Sequence, residues 1–340
     1  MKTYLITIDG GTTNTRAFLW NSRGQVAASA KAAVGVQLTA ETGSNQALKE
    51  TVRRLIDSLL EERSIKISDV GAIYASGMIT SNVGLIEVPH LIAPVSLKDF
   101  AAGVVLKLLP DVCPVPIHFI PGMKNMPDLK VTLENLESMD IMRGEETEAL
   151  ALLDYTGLGG DCLLVLPGSH TKFITVDAAG RLTGCLTSLS GELLAAITQH
   201  TVVADAVERS FVNQEWDPSY LLAGFYAAHD TSCARGAFLT RIARQFLTDK
   251  QNQCASFLLG AVLENDIAAI RSSHALKIRS SMRVRIAGKE PLCSALLMLL
   301  KETGYFSDIQ SVHLPDKCPM AGYGALLIAK ERGDFYESGT

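Results

Sequence analysis

The sequence predicts an α/β fold in two lobes, and three observations carry that expectation. Apolar β-type runs alternate with amphipathic helical stretches along the chain. Two hairpins with glycine- and hydroxyl-rich turns occur far apart, around Gly11 and around Gly168. The 340 residues suffice for two lobes, each with its own core.

The first β-type runs, Tyr4 to Ile8 and Thr15 to Trp20, flank Asp9-Gly10-Gly11-Thr12-Thr13-Asn14, which reads as a hairpin closed by a tight polar turn. Gly10 and Gly11 let backbone N–H groups approach an anion, and Thr12, Thr13 and Asn14 add neutral donors, so the turn suits phosphate. Asp9, at the strand end, suits Mg²⁺ held through water, because that ion keeps much of its hydration shell. An ordinary hairpin turn capped by Asp9 is the plainer alternative.

The second hairpin runs from Asp161 to Leu166, turns through Pro167-Gly168-Ser169-His170-Thr171, and resumes at Lys172 to Val176. Each hairpin then reaches a further turn ending in glycine, Asn21-Ser22-Arg23-Gly24 in one and Asp177-Ala178-Ala179-Gly180 in the other. Gly11 matches Gly168 and Gly24 matches Gly180 with one residue of slippage, the pattern of an internal duplication. Two such turns facing each other would clamp a nucleotide's phosphates from both sides. His170 either donates to phosphate or is a solvated turn residue, and Lys172 at the strand start points either way.

Between the hairpins, Asn45 to Arg63 spaces Leu48, Val52, Leu55, Ile56, Leu59 and Leu60 as the inner face of a surface helix. Val70 to Ala75 reads as a strand ending at Ser76-Gly77, where a small polar loop runs to Asn82; loops at the carboxyl ends of parallel strands hold ligands. Val112 to Leu136, with Pro114, Pro116, Pro121 and Pro127, reads as mostly loop, with a domain boundary just beyond. Met139 to Asp154 reads as a helix, with Ala149, Leu150, Leu152 and Leu153 inward and Glu145, Glu146 and Glu148 near its start. The helix dipole alone accounts for acids there, yet phosphoryl transfer also needs one carboxylate to orient and deprotonate a hydroxyl. Arg143 offers a forked cation, either for a substrate carboxylate or for a structural pair with Glu145 or Glu146. Farther on, Arg283 to Ala287 reads as a strand, Gly288 as a turn, and Pro291 to Thr303 as a helix with proline in its first turn. Ala321-Gly322-Tyr323-Gly324-Ala325 opens a last helix whose small residues let a neighbour cross closely.

Composition excludes several classes. A net charge of −5 with no basic stretch argues against a nucleic-acid partner. No apolar run reaches membrane-spanning length and the N-terminus enters a strand at once, so neither anchor nor signal peptide is expected and the location reads as cytoplasmic. Seven scattered cysteines without a Cys-x-x-Cys pair fit reduced thiols, and the histidines lack metal-ligand spacing. No Gly-x₄-Gly-Lys-Ser/Thr loop is present.

Five segments, Ile8 to Arg16, Ala75 to Asn82, Glu87-Val88-Pro89, Met142 to Thr147 and Leu166 to Lys172, resemble the sugar kinase, heat-shock protein 70 and actin superfamily. Within it they resemble the 2-dehydro-3-deoxygalactonokinases, and the likeness covers nearly the whole length. The resemblance implies two actin-like (ribonuclease H-like) domains, 1–140 and 141–319, with residues 320–340 packing back near the hinge and an active site in the cleft. It implies ATP- and Mg²⁺-dependent phosphorylation of 2-dehydro-3-deoxy-D-galactonate at its terminal 6-hydroxyl, in galactonate catabolism. ATP contacts then fall on Gly10, Gly11, Thr12, Thr13 and Arg16, on Gly168, Ser169, His170, Thr171 and Lys172, and, for adenosine, on Gly288 and Leu292. Substrate contacts fall on Ser76, Gly77, Met78, Asn82 and Arg143. In glycerol-kinase-type relatives the base is an Asp after a Gly at a helix start before the second hairpin. Gly144-Glu145 holds that place with Glu for Asp, so Glu145 is the expected base, Glu146 the alternative, and Asp9 the Mg²⁺ residue. A kinase for a neutral N-acetylhexosamine and a nucleotide-gated ATPase of the same superfamily are the competing readings. The expected partner is a small sugar acid, and a homodimer is carried as an option.

Overall fold

The computed structural model describes residues 3–125, 130–213, 215–313 and 319–336. Pro127 and Cys318 lie outside the described residues, as does the end of the 320–340 segment. The first hairpin is β1 (Tyr4–Gly10) and β2 (Thr15–Trp20), extended antiparallel by β3 (Val26–Ala32). Helices α1 (Val36–Thr42) and α2 (Gln46–Glu62) carry the chain back to β4 (Val70–Gly77), which lies parallel to β1. Leu48, Val52, Leu55, Ile56 and Leu59 are the buried face of α2, as their spacing requires.

The next elements are β5 (Leu91–Ile92), α3 (Leu97–Gly103), β6 (Val105–Lys107), β7 (Ile117–Phe119), β8 (Met123–Lys124), β9 (Ile141–Met142) and α4 (Glu145–Thr156). Two sequence expectations are corrected here. The proline-rich stretch is not merely loop, since Ile117 to Phe119 form a fully buried strand pairing with both β4 and β6. The helix expected from Met139 starts at Glu145, because Ile141 and Met142 pair with β8 and Gly144, at φ +118, breaks the chain direction.

The second hairpin is β10 (Cys162–Leu166) with β11 (Thr171–Val176), followed by β12 (Leu182–Ser188) and α5 (Ser190–His200). Helices α6 (Pro218–Asp230), α7 (Cys233–Phe246) and α8 (Gln251–Ser272) precede β13 (Arg283–Ile286), α9 (Leu292–Glu302), β14 (Ile309–Ser311) and α10 (Met320–Arg332). The strand orders are β3-β2-β1-β4-β7-β6 and β12-β11-β10-β13-β14, so each large sheet sets an antiparallel triplet beside a parallel crossover strand. β5-β8-β9 form a third, small sheet.

The two halves repeat in detail. Asn21 Oδ1 accepts from the N–H groups of Arg23 and Gln25, and Asp177 Oδ1 accepts from those of Ala179 and Arg181, with Gly24 and Gly180 both at positive φ. α10 packs on α3, α4, β1 and β4. A Cβ at Gly324 would lie 1.9 Å from the Thr147 carbonyl oxygen, so the α4–α10 crossing depends on that glycine. One expectation about apolar length is also corrected: α8, 22 residues, is long and apolar enough to cross a membrane by length and composition, but 78% of its apolar window is buried inside the fold.

Candidate active site

Each glycine turn is held by the start of the helix that follows its sheet strands. Gly11 N–H closes the first turn on Asn14 O at 2.8 Å, while Val36 and Gln37 N–H take the carbonyls of Gly11 and Thr12. At the second turn Glu192 N–H takes Ser169 O at 3.0 Å. The glycines beside these contacts leave no room for a side chain: a Cβ at Gly35 would lie 2.3 Å from Thr12 O, and one at Gly191 2.1 Å from Gly168 O. The end of the neighbouring parallel strand repeats the pattern, Gly77 against Gly10 O and Gly288 against Pro167 O. With the carbonyls drawn inward, the N–H groups of Thr12 and Thr13, and those of Gly168, Ser169 and His170, meet no acceptor among the described residues. Such runs of outward N–H dipoles favour anions.

The segment Ile141 to Glu145 touches both halves. A Cβ on Gly144 would lie 3.2 Å from Gly77 Cα, at the end of β4. Lys172 Nζ, from the start of β11, donates to Ile141 O at 3.0 Å and to Thr187 Oγ1 at 2.6 Å. Thr187 in turn binds the Asp140 carboxylate through its N–H and hydroxyl. α4 therefore begins between the two turn-bearing sheets.

Three carboxylates gather at that point. Asp9 is pushed above the ordinary carboxylate range by burial, opposed by Arg16 (3.5 Å from Asp9 Oδ2) and reinforced by Glu145. Glu148 is pushed up to about 8 by burial and then by Asp9 and Glu145, again opposed by Arg16. Glu148 was not among the residues singled out for the site; its spacing of three from Glu145 on one helix face was the available signal. Glu145 Oε2 accepts the Arg143 N–H at 3.2 Å. Glu146 turns away into the protein, fully buried, with Oε2 accepting Gly144 N–H at 2.7 Å and Oε1 without a partner. Burial, then Glu145, pushes its carboxyl up to about 8. Among the described residues no three His, Cys, Asp or Glu side chains are placed to hold a metal directly. A dication bound through water fits the donor set, because Asp9 and Glu148 repel each other and Glu145 in its absence.

The residues expected to contact ligands have the following surroundings. Arg143 Nη1 donates to Thr80 O and Oγ1, and Nη2 to Val88 O and His90 Nδ1, while its backbone N–H meets Glu145 and the Glu146 carboxyl acts on its charge. The guanidinium locks the 77–90 loop. Lys172 donates to Ile141 O and Thr187 Oγ1 and so tethers the start of β11 to the 140–145 segment. His170 pairs with Glu192 at 2.9 Å. Ser76 is buried, its hydroxyl 3.5 Å from Ile8 O, and Met78 packs partly against the core between α2 and the β1–β4 strands. Asn82 is exposed in the loop, and Leu292 packs against the core of the second half. Thr171 is buried at the foot of its turn. A cavity of about 750 Å³ opens between α5 and α7, lined by Ser188, Ser190, Leu193, Ala237 and Phe238; Gly288 and Leu292 are not in its wall.

Comparison with known proteins gives consistent relatives. The model of the 2-keto-3-deoxy-galactonokinase family matches residues 9–321. A protein named "Probable 2-dehydro-3-deoxygalactonokinase DgoK1" from Rhizobium meliloti (strain 1021) is 27% identical over 206 residues, 60% of this chain and 59% of that relative. The match thus spans under two thirds of the curated relative's length. A crystal structure from Sinorhizobium meliloti, named for the same activity, superimposes with a TM-score of 0.74 at 22% identity, covering 96% of this chain and 98% of that one. The activator of the 2-hydroxyisocaproyl-CoA dehydratase from Clostridium difficile, solved with bound ADPNP, gives a TM-score of 0.50 at 12% identity, covering 99% and 98%. At these identities the structures show the fold, which is the α/β, actin-like one that the resemblance implied.

Proposed function

This chain belongs to the 2-keto-3-deoxy-galactonokinase family, and we propose that it transfers the γ-phosphoryl group of ATP to the terminal 6-hydroxyl of 2-dehydro-3-deoxy-D-galactonate. The observation that carries the reading is the gathering of Asp9, Glu145 and Glu148 beside the first glycine turn, on a segment that Lys172 ties to the second hairpin. The triphosphate lies between the N–H groups of Thr12 and Thr13 and those of Gly168 to His170. Those donors take up the charge of the moving phosphoryl group without rearranging. Glu145 accepts the proton as the acceptor oxygen bonds to the γ-phosphorus and the bond to ADP breaks. Asp9 would hold Mg²⁺ through water, and the bound ion would supply neutralisation of the triphosphate charge.

Residues 1–140 and 141–319 act as the two lobes, with α10 at their hinge; closure excludes water, which otherwise competes as nucleophile. Gly288, pressed on Pro167 O, offers bare backbone for adenosine. The presence of ADPNP in the dehydratase activator supports a nucleotide in this fold. One observation favours a neutral N-acetylhexosamine as acceptor, namely that both Nη groups of Arg143 already donate to Thr80, Val88 and His90. ADP release measured across a panel of sugar acids and neutral sugars decides between them, and labelled γ-phosphate identifies the oxygen attacked. Bare ATP hydrolysis across the whole panel would defeat the kinase reading.

A further inference from the structure

The small sheet pairs Leu91 with Met123 and Met123 with Met142 in one row, and Ile92 with Lys124 and Lys124 with Ile141 in the next. Side chains alternate across a strand. Met123 and Met142 are buried in the core between the large sheets, so Ile92, Lys124 and Ile141 stand together on the opposite face. There the two isoleucines are 48% and 52% exposed.

One step back along the strands, His90 and Arg143 meet over Gly122. Arg143 Nη2 lies 3.2 Å from His90 Nδ1, and a Cβ at Gly122 would lie 2.8 Å from His90 Cδ2, so the bare glycine lets the ring cross. Arg143 can only donate, so His90 Nδ1 accepts and Nε2 carries the proton. That buried Nε2–H has no partner. Burial, then Arg143, then Lys124, holds the imidazole down at about 4, which keeps it neutral near pH 7 and shows that Lys124 is its electrostatic neighbour. Arg143 spends both terminal nitrogens on Thr80, Val88 and His90. The Lys124 ammonium has no acceptor among the described residues.

We propose that Lys124, set between Ile92 and Ile141, receives the carboxylate end of the substrate, while the Nη groups of Arg143 hold the 77–90 loop. The assignment rests on the sugar-acid kinase reading above. A 2-keto-3-deoxy acid carries a carboxylate at C1 and a methylene at C3, so a cation between two apolar side chains matches both the charge and the missing hydroxyl. Ile141 leads through Arg143 and Gly144 into Glu145, at most about 14 Å of extended chain. That upper bound allows a six-carbon acid held at Lys124 to present its 6-hydroxyl to Glu145.

Lys124→Met and Lys124→Arg test this, with the coupled ADP assay run on the 2-keto-3-deoxy acid and on an analogue whose carboxylate is replaced by hydroxymethyl. The readout is the ratio of kcat/KM for the acid to that for the analogue, or, if the analogue is not turned over, the ratio of its Ki to KM for the acid. The ratio should fall about 30-fold in Lys124→Met, chiefly through KM for the acid, and recover most of the way in Lys124→Arg. A general loss of fold leaves either ratio alone. An unchanged ratio in Lys124→Met, with the wild type active on the acid, overturns the carboxylate assignment and leaves the kinase reading standing. A wild-type protein that phosphorylates no sugar acid overturns both.

Discussion

Arg143 donates to Thr80, 63 residues earlier in the chain, at 2.6 Å from Nη1 to Oγ1 and 2.8 Å to the carbonyl oxygen. With Val88 O and His90 held by Nη2, one guanidinium fixes both ends of the loop that starts at Gly77. Arg143→Ala should leave two buried carbonyls without a charged donor and cost about 3 kcal/mol of stability. Its catalytic loss should be equal for acid and neutral acceptors, because the whole loop shifts. A selective loss on the acid alone, measured with the same panel, would show instead that Arg143 binds the carboxylate.

Glu145 and Glu146 are adjacent but differently placed, one beside Asp9 and Glu148, the other fully buried against Gly144 N–H. Glu145→Gln should lower kcat by about 10²- to 10⁴-fold with KM for ATP nearly unchanged, the signature of a lost general base. Glu146→Gln keeps an acceptor for Gly144 N–H and should retain much more activity. If the two variants exchange these outcomes in steady-state kinetics, Glu146 is the base.

Much of the fold was legible because its signals are local. The alternation around both glycine turns, the helical stripe of α2 and the Gly24 and Gly180 turns each depend on residues within one element. β7 was missed because three residues between prolines carry no period; pairing with β4, some forty residues earlier in the chain, makes it a strand. The loop-side partners of Arg143 were not legible for the same reason. A forked cation beside acids suggests a ligand or an ion pair, whereas its actual partners are carbonyl groups and a ring that local pattern cannot bring near. Glu148 was legible in principle from its spacing to Glu145, but Asp9, which makes it matter, comes from the other end of the chain.

The buried Glu146 carboxyl predicts the pH dependence of stability. Its proton is held more tightly in the folded state, where it leaves at about 8, than in the unfolded chain at 4.5. Stability from this group is full below pH 4.5 and is lost as pH rises toward about 8. Glu148 acts in the same direction. Melting temperature should therefore fall from pH 5 to pH 8.5, and Glu146→Gln should flatten that decline. An undiminished slope in the variant would assign the dependence to other groups.

The twin helix starts behind the turns give a last, paired prediction. Gly35 and Gly191 occupy equivalent places, each with a carbonyl oxygen of its turn within 2.3 Å of where a Cβ would stand. Backbone is on both sides of the clash, so an alanine must push the turn outward rather than swing a side chain aside. Displacing the turn misaims the N–H groups that face the triphosphate, while the acceptor loop and Glu145 stay where they are. Gly35→Ala and Gly191→Ala should each raise KM for ATP by about tenfold or more, with KM for the sugar acid changing little. Gly180→Ala, strained at φ +75 but with open space around it, is the control, since it costs stability without reaching either turn. Equal ATP effects in all three variants would trace the loss to general destabilisation and remove the turns from the nucleotide site.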